Sequence, residues 1–292
     1  MDSETKHRQE ISGEDVVYSN ISREDTYDVD IILPTLDEEI NILVLLEMLE
    51  CKKYHKIIID DSKTNKTVEN ILEYNKKKPI PNLTVVEGDR KNLGGAYKKA
   101  CKFLQSGEVI VMDTDLSHDP FDIRKFLWIA ERSQDCSVVT GTRYKSKNVF
   151  FQQQRGSICK CCGEKDQELI FPVKETPSGS FVKGGVGWPF KRKFISSGAN
   201  VLTSIFAGGD YDFTGSFRLY RRDFFEEIIE NCPSNCFSFQ MEALCYAIRK
   251  KKKIEECPII FHDRVDGESK MGAMHYFKFI KSLMIVAVKS VL

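Results

Sequence analysis

Short apolar runs alternate with amphipathic stretches along most of this chain. Residues 28–33, 56–59, 83–87 and 109–111 are aliphatic or β-branched runs of strand length, each bounded by polar residues. Between them, 38–50, 67–76 and 94–104 carry apolar residues at helical spacing, and Asp37, Glu38 and Glu39 stand where a helix start favours anions. A helix over 121–132 and a strand over 137–139 follow. A basic helix starts near 191, another helix begins at Phe239-Gln240-Met241-Glu242, and 254–261 has the composition of a strand. Strands alternating with helices predict an α/β chain whose parallel, doubly wound sheet is flanked by helices. Such sheets bind ligands at the carboxyl ends of their strands.

Those ends are where the polar residues collect: Pro34 and Glu38, Asp60 and Asp61, and Asp113 and Asp115. At strand spacing Asp113 and Asp115 project from the same side of the chain. Two anionic oxygen donors suit a hard divalent cation such as Mg2+ or Mn2+, which in turn holds a diphosphate. Asp60 or Asp61 can accept hydrogen bonds from a nucleotide base. The plainer alternatives are a solvated strand-end turn for Asp113 and Asp115 and helix capping for Glu38 and Glu39, with capping a weaker alternative for Asp60 and Asp61, where a carboxylate after a buried strand has fewer local donors. Neither Gly-x-Gly-x-x-Gly nor a P-loop motif is present, so diphosphate binding would depend on the metal and on basic side chains.

The pattern lapses in three places. Residues 1–27 are polar and aperiodic, a flexible tail by composition. Residues 145–180 form a polar insertion, whose Cys159, Cys161 and Cys162 lack the paired spacing of a structural zinc site. Residues 274–292 place Lys278, Lys281, Ser282 and Lys289 on one arc, an amphipathic helix that packs on the domain, lies on a membrane or docks on a partner. Arg192 and Ser196 stand four apart and share a helix face that can grip one anion.

Composition narrows the function classes. With 41% hydrophobic residues over 292 positions the chain can bury a full core. Its formal charge of zero hides nine acidic and three basic groups in the first thirty residues, which leave the remainder cationic. A mildly basic body suits anionic small ligands rather than nucleic acid. Ten cysteines without an apolar secretory segment imply reduced cytosolic thiols, and no apolar run is long enough to span a membrane, so a membrane role would be peripheral.

Taken together, Asp113-Thr114-Asp115-Leu116-Ser117-His118, Gly141-Thr142-Arg143-Tyr144, Thr214 to Tyr220 and Asp263 to Lys270 resemble the family-2 glycosyltransferases of the GT-A fold, and among them the dolichol-phosphate mannosyltransferases. The resemblance implies a Rossmann-like domain over 28–273 with a mixed, mainly parallel sheet. It implies transfer of mannose from GDP-mannose to dolichyl phosphate with inversion, for protein glycosylation and GPI-anchor synthesis. By similarity Pro34, Leu36, Glu38, Ile59 and Asp61 line the guanosine site, and Asp113, Thr114, Asp115 and Lys270 meet the rest of the donor. The metal falls to Asp113, Asp115 and Ser117, the last standing where some relatives have Gln. Arg143, Arg192, Ser196 and Arg264 match positions that meet the acceptor phosphate, with Asp115, Arg143 and Arg264 central to catalysis. The same likeness implies a peripheral place on the cytosolic face of the endoplasmic reticulum, with small membrane-anchoring subunits. Departures are Leu36-Asp37 where the family has Tyr-Asn, and the longer loop after Tyr144. A dolichyl-phosphate glucosyltransferase using UDP-glucose, a non-catalytic nucleotide-binding subunit and a zinc-binding interaction module are the competing readings.

Overall fold

The computed structural model describes residues 16–21, 27–89, 93–143, 198–232 and 238–262 in full, and 151–153, 170–172 and 190–197 as backbone. Its strands are β1 (Val16–Ser19), β2 (Val29–Thr35), β3 (Tyr54–Asp60), β4 (Leu83–Glu87), β5 (Glu108–Val111), β6 (Cys136–Thr142), β7 (Phe151–Gln153), β8 (Ile170–Pro172), β9 (Arg218–Arg221) and β10 (Lys253–Pro258). The helices are α1 (Asn41–Met48), α2 (Lys66–Lys77), α3 (Leu93–Ala100), α4 (Ile123–Arg132), α5 (Phe190–Ala207), α6 (Arg222–Asn231) and α7 (Phe239–Arg249). Eight strands form one sheet in the order β1-β4-β3-β2-β5-β9-β6-β10.

The apolar runs are continuous because both faces of the sheet are covered. Successive residues of one strand go to opposite sides: Ile32, Val109 and Val111 pack with Tyr97, Phe225 and Leu244 of α3, α6 and α7. Ile31, Leu33 and Ile110 pack with Leu45, Ile71 and Phe126 of α1, α2 and α4. At the start of the strands the buried Asp30 takes His55 Nδ1 at 2.6 Å and the Gln105 and Ser106 N–H groups, while His55 Nε2 meets Thr84 Oγ1 at 3.0 Å. That polar tie binds β2, β3 and β4 at the end remote from their carboxyl termini.

The sheet is mixed rather than wholly parallel. β2, β3, β4 and β5 run parallel, whereas β9 lies antiparallel between β5 and β6. A four-residue strand of Arg-Leu-Tyr-Arg has too few apolar positions to show a period, so the sequence pattern passes over it. Val16–Ser19, inside the stretch expected to be a tail, adds an antiparallel edge strand to β4, because Val16-Val17-Tyr18 is itself a strand-forming triplet. Within the insertion expected to lack structure, β7 and β8 pair antiparallel with each other. α1 begins at Asn41, so the acidic residues 37–39 precede the helix instead of occupying its first turn, and Asp37 adopts φ 56°. The Cys159–Cys162 cluster and the C-terminal helix expected over 274–292 lie outside the described residues.

Asp122, buried before α4, accepts the Ile260 N–H and lies 2.5 Å from Lys125 Nζ. Burial raises its pKa to about 6, against the pull of Lys125 and with the help of Asp119. A raised carboxyl favours the folded state while protonated; this contribution is complete below about pH 3.9 and is lost as pH rises through 6. Asn in its place mimics the protonated form. The Tm of Asp122→Asn relative to the wild type is therefore expected to rise by roughly 5 °C between pH 4.5 and 7.5; thermal melts showing a constant difference would contradict the assignment.

Candidate active site

Because β5 stops at Val111, Asp113 and Asp115 lie on a turn beyond the strand, with Leu116 at φ 60°. The same-side geometry expected of an extended chain is thus replaced by two separately held carboxylates. Asp115 is 6% exposed, and its Oδ1 accepts the Ser117 N–H at 3.1 Å and the Ser117 hydroxyl at 2.5 Å. Asp113 keeps 32% of its side chain exposed; its Oδ2 accepts the Ser216 hydroxyl at 2.6 Å. Thr114 Oγ1 donates to the Pro34 carbonyl at 3.1 Å, which fastens the turn to the end of β2.

His118 supports this turn, a part the sequence did not assign to it. The Asp113 N–H donates to its Nδ1 at 3.1 Å, so the proton of the neutral ring resides on Nε2. Nε2 is buried without a hydrogen-bond partner among the described residues and lies 4.0 Å from Asp113 Oδ2. The ring stacks on Phe217 at 4.8 Å and meets the edge of Phe261 at 5.3 Å. Burial holds its pKa below the ordinary histidine value, against the attraction of Asp113 and Asp115.

The two aspartates after β3 have different surroundings. Asp60 is spent internally, accepting from Thr35 Oγ1 at 2.9 Å and Ser62 Oγ at 2.6 Å. Asp61 is half-buried, and its carboxylate lies over Gly88, at the end of β4. A Cβ on Gly88 would stand 2.0 Å from Asp61 Oδ1 and 2.8 Å from the Asp60 carbonyl, so only glycine leaves that carboxylate in place. Leu36 is exposed, Pro34 half-buried and Glu38 half-buried with Asn41 donating to it, whereas the Ile59 side chain is wholly inside the core. The Ile59 side chain therefore does not face this edge, and its main chain lies within the sheet between β2 and β4.

Across the site, Arg143 at the end of β6 is 8% exposed and pairs with Asp212. Its Nε donates to Oδ2 and its Nη2 to Oδ1, each at 2.7 Å, and Nη2 also reaches Thr214 Oγ1 at 2.6 Å. Burial alone would raise the Asp212 pKa; the Arg143 guanidinium and the hydrogen bonds around it hold the carboxyl below its ordinary value instead. The turn after Asp212 is held by Arg218, wholly buried, which donates to the carbonyls of Asp212, Phe213 and Gln240 and to Thr140 Oγ1. Gly141 allows this segment to close on β6, since a Cβ there would meet the Phe217 carbonyl at 2.8 Å. Arg192 and Ser196 fall on α5, in the part described as backbone, while Arg264 and Lys270 lie outside the described residues. The chain leading to them leaves from the carboxylate turn: Phe261 bridges to His118, and the His262 N–H donates to the Ser117 carbonyl at 2.9 Å.

The profile of the family described as Glycosyl transferase family 2 matches residues 30–229. The chain belongs to that family. It is 25% identical over 265 residues to the dolichol-phosphate mannosyltransferase of Pyrococcus furiosus, a match covering 87% of this chain and 62% of that protein. The chain thus spans less than two thirds of that relative. It is also 25% identical over 251 residues to the polyprenol monophosphomannose synthase of Mycolicibacterium smegmatis, covering 83% of this chain and 80% of the relative. In structure it is similar to glucosyl-3-phosphoglycerate synthase from Mycobacterium tuberculosis, solved with Mn2+, UDP and phosphoglyceric acid, at a TM-score of 0.56 and 11% identity over 90% of this chain and 78% of that one. A mannosyltransferase from Pyrobaculum calidifontis, solved with GDP-Man and Mn2+, superposes at a TM-score of 0.53 and 14% identity, covering 92% of this chain and 65% of that one. Identities this low speak for the fold alone, which is GT-A: a mixed, mostly parallel sheet flanked by helices.

Among the described residues no three His, Cys, Asp or Glu side chains gather into a protein-only metal cage. Two carboxylates on one turn nevertheless fit a hard cation that completes its shell with substrate phosphate oxygens. Asp113 and Asp115 are the residues on this turn that could hold one. The Ser117 hydroxyl, 0% exposed and donating to Asp115, serves that carboxylate.

Gly88→Ala is expected to displace Asp61, to weaken nucleotide binding at least about tenfold, a cost of about 1.4 kcal/mol, and to lower Tm as well, because the new Cβ also crowds the Asp60 carbonyl. Calorimetric titration with GDP and Mn2+ reads it, and unchanged affinity would remove Asp61 from the nucleotide site.

Proposed function

We propose that the chain transfers mannose from GDP-mannose to dolichyl phosphate, with inversion, giving dolichyl phosphate mannose for protein glycosylation and GPI-anchor synthesis. One observation carries the reading: residues 212–216 hold the buried Arg143 through Asp212 and the half-exposed Asp113 through Ser216. An acidic, cation-ready turn and a basic side chain therefore share one support. The names of the two 25%-identical relatives agree with this chemistry.

A phosphate acceptor changes what the site must do. With a second pKa of about 6 it is already largely dianionic at neutral pH, so no side chain has to remove a proton from it. The difficulty is repulsion between two anionic substrates. A bound Mg2+ or Mn2+ supplies charge neutralisation for the departing nucleoside diphosphate. Asp113 and Asp115 would hold that ion, with Ser117 and His118 fixing the turn, while Pro34, Leu36, Glu38 and Asp61 take the nucleoside and Lys270 lies near the donor. Arg143, Arg192, Ser196 and Arg264 would receive the acceptor phosphate. Arg264 follows two residues after His262, whose N–H is bonded to Ser117. Positioning and charge stabilisation then carry the reaction.

Among the described residues no helix is long and apolar enough to cross a membrane. The proposal places the chain peripherally on the cytosolic face of the endoplasmic reticulum, brought to its lipid by the 274–292 segment or by small membrane subunits.

Asp115→Ala should abolish transfer, by at least about a thousandfold, at saturating Mn2+; near-normal turnover of radiolabelled GDP-mannose would refute the metal assignment. Arg264→Ala should raise KM for dolichyl phosphate while leaving that for the donor unchanged, and the reverse pattern would overturn the division of basic residues. Preference for UDP-glucose in direct donor competition would replace the proposed reaction by glucosyl transfer.

A further inference from the structure

Asp212 was invisible to motif reasoning, yet it collects polar groups from three elements. Besides both contacts with the guanidinium, it accepts the Arg143 main-chain N–H at 3.2 Å, so the arginine is gripped by backbone and side chain together. Asn200 of α5 donates to Asp212 Oδ1 at 3.2 Å and accepts the Thr214 N–H at the same distance. The Thr214 hydroxyl and the Gly215 N–H also donate to Asp212 Oδ1, at 3.2 and 3.1 Å. Ser216 then continues the segment to Asp113.

Asn200 carries a second consequence. Residues 192, 196 and 200 recur at four-residue spacing on α5, so the face bearing the two expected anion-binding positions is the one Asn200 ties to Asp212. The Nε–Nη2 edge of Arg143 is meanwhile committed to Asp212, which sets the plane of the guanidinium. We infer that Asp212 is a positioning residue for the acceptor anion: it orients Arg143 and anchors α5 through Asn200, and Ser216 performs the corresponding task for Asp113 on the donor side.

This rests on the proposed division into a donor half and an acceptor half, and it makes an assertion that charge alone does not. On Coulomb's law a carboxylate beside the acceptor repels it, so neutralising Asp212 ought to tighten anion binding. If the carboxylate instead orients the guanidinium, neutralising it loosens binding. The two accounts differ in sign.

The full-length chain is titrated calorimetrically with a short-chain polyprenyl phosphate, and separately with GDP and Mn2+, as wild type and as Asp212→Asn, Thr214→Val and Ser216→Ala. Asp212→Asn is expected to lose roughly tenfold in affinity for the polyprenyl phosphate, about 1.4 kcal/mol, with its GDP affinity unchanged. Thr214→Val leaves the charge untouched and removes the second hydroxyl contact to Arg143; it should lose affinity in the same direction, by a smaller factor, and serves if Asp212→Asn does not fold. Ser216→Ala should show the opposite split, with weaker GDP–Mn2+ binding and normal affinity for the polyprenyl phosphate. Tighter or unchanged phosphate binding by Asp212→Asn and Thr214→Val, equal losses at both ligands, or failure of the wild type to bind the phosphate would each overturn the inference. A wild type that binds both ligands with the expected splits but transfers no mannose would instead overturn the proposed reaction and leave the positioning role standing.

Discussion

A carboxylate shut away from water has to be surrounded by donors, and the site is organised by how Asp212 finds them. The arginine at the end of β6, the asparagine on α5 and the turn that precedes β9 all converge on its two oxygens. Removing one side of such a buried pair leaves an uncompensated charge, which is why Asp212 and Arg143 require each other. Arg218 supports it from below by solvating the carbonyls of Asp212 and Phe213 with a buried guanidinium. Two arginines thus maintain one turn, one through its carboxylate and the other through its main chain.

The mixed sheet is the geometric condition for this. Because β9 runs antiparallel between β5 and β6, the chain entering it passes the carboxyl ends of both neighbours. Asp212 therefore arrives beside Arg143 at the end of β6, and Ser216 beside Asp113 just beyond β5. A wholly parallel sheet would bring in the strand between them from the opposite end, with its preceding turn on the far side. The strand that the apolar pattern passes over is the one that joins the two halves of the site.

Much of the remaining fold was legible in the sequence because β2, β3, β4 and β5 are buried on both faces and hence carry short apolar runs, such as Ile31–Leu33, Ile57–Ile59, Val85–Val86 and Val109–Val111, rather than an alternating pattern. Their terminal carboxylates were legible for the same reason, as abrupt changes of polarity. What could not be seen was the assignment of individual atoms. Asp60 and Asp61 are equivalent in the sequence, and only the hydroxyls of Thr35 and Ser62 and the bare Cα of Gly88 separate an internal carboxylate from a half-buried one. Asp212 precedes the conspicuous Thr214–Tyr220 motif by two residues and has no local pattern of its own; its partners lie 12 and 69 positions away. Long-range polar satisfaction of this kind leaves no periodic trace.

The proposed chemistry manages charge and moves no proton from the acceptor, and this is its most exposed point. Rate against pH, measured as kcat/KM for the lipid acceptor and repeated with an acceptor phosphonate of higher second pKa, tests it directly. With dolichyl phosphate the acidic limb is expected near pH 6, where the phosphate gains its second charge, and it should move upward with the phosphonate. A limb that stays at one pH for both acceptors would reveal a titrating base in the protein and contradict a site built for positioning and charge alone.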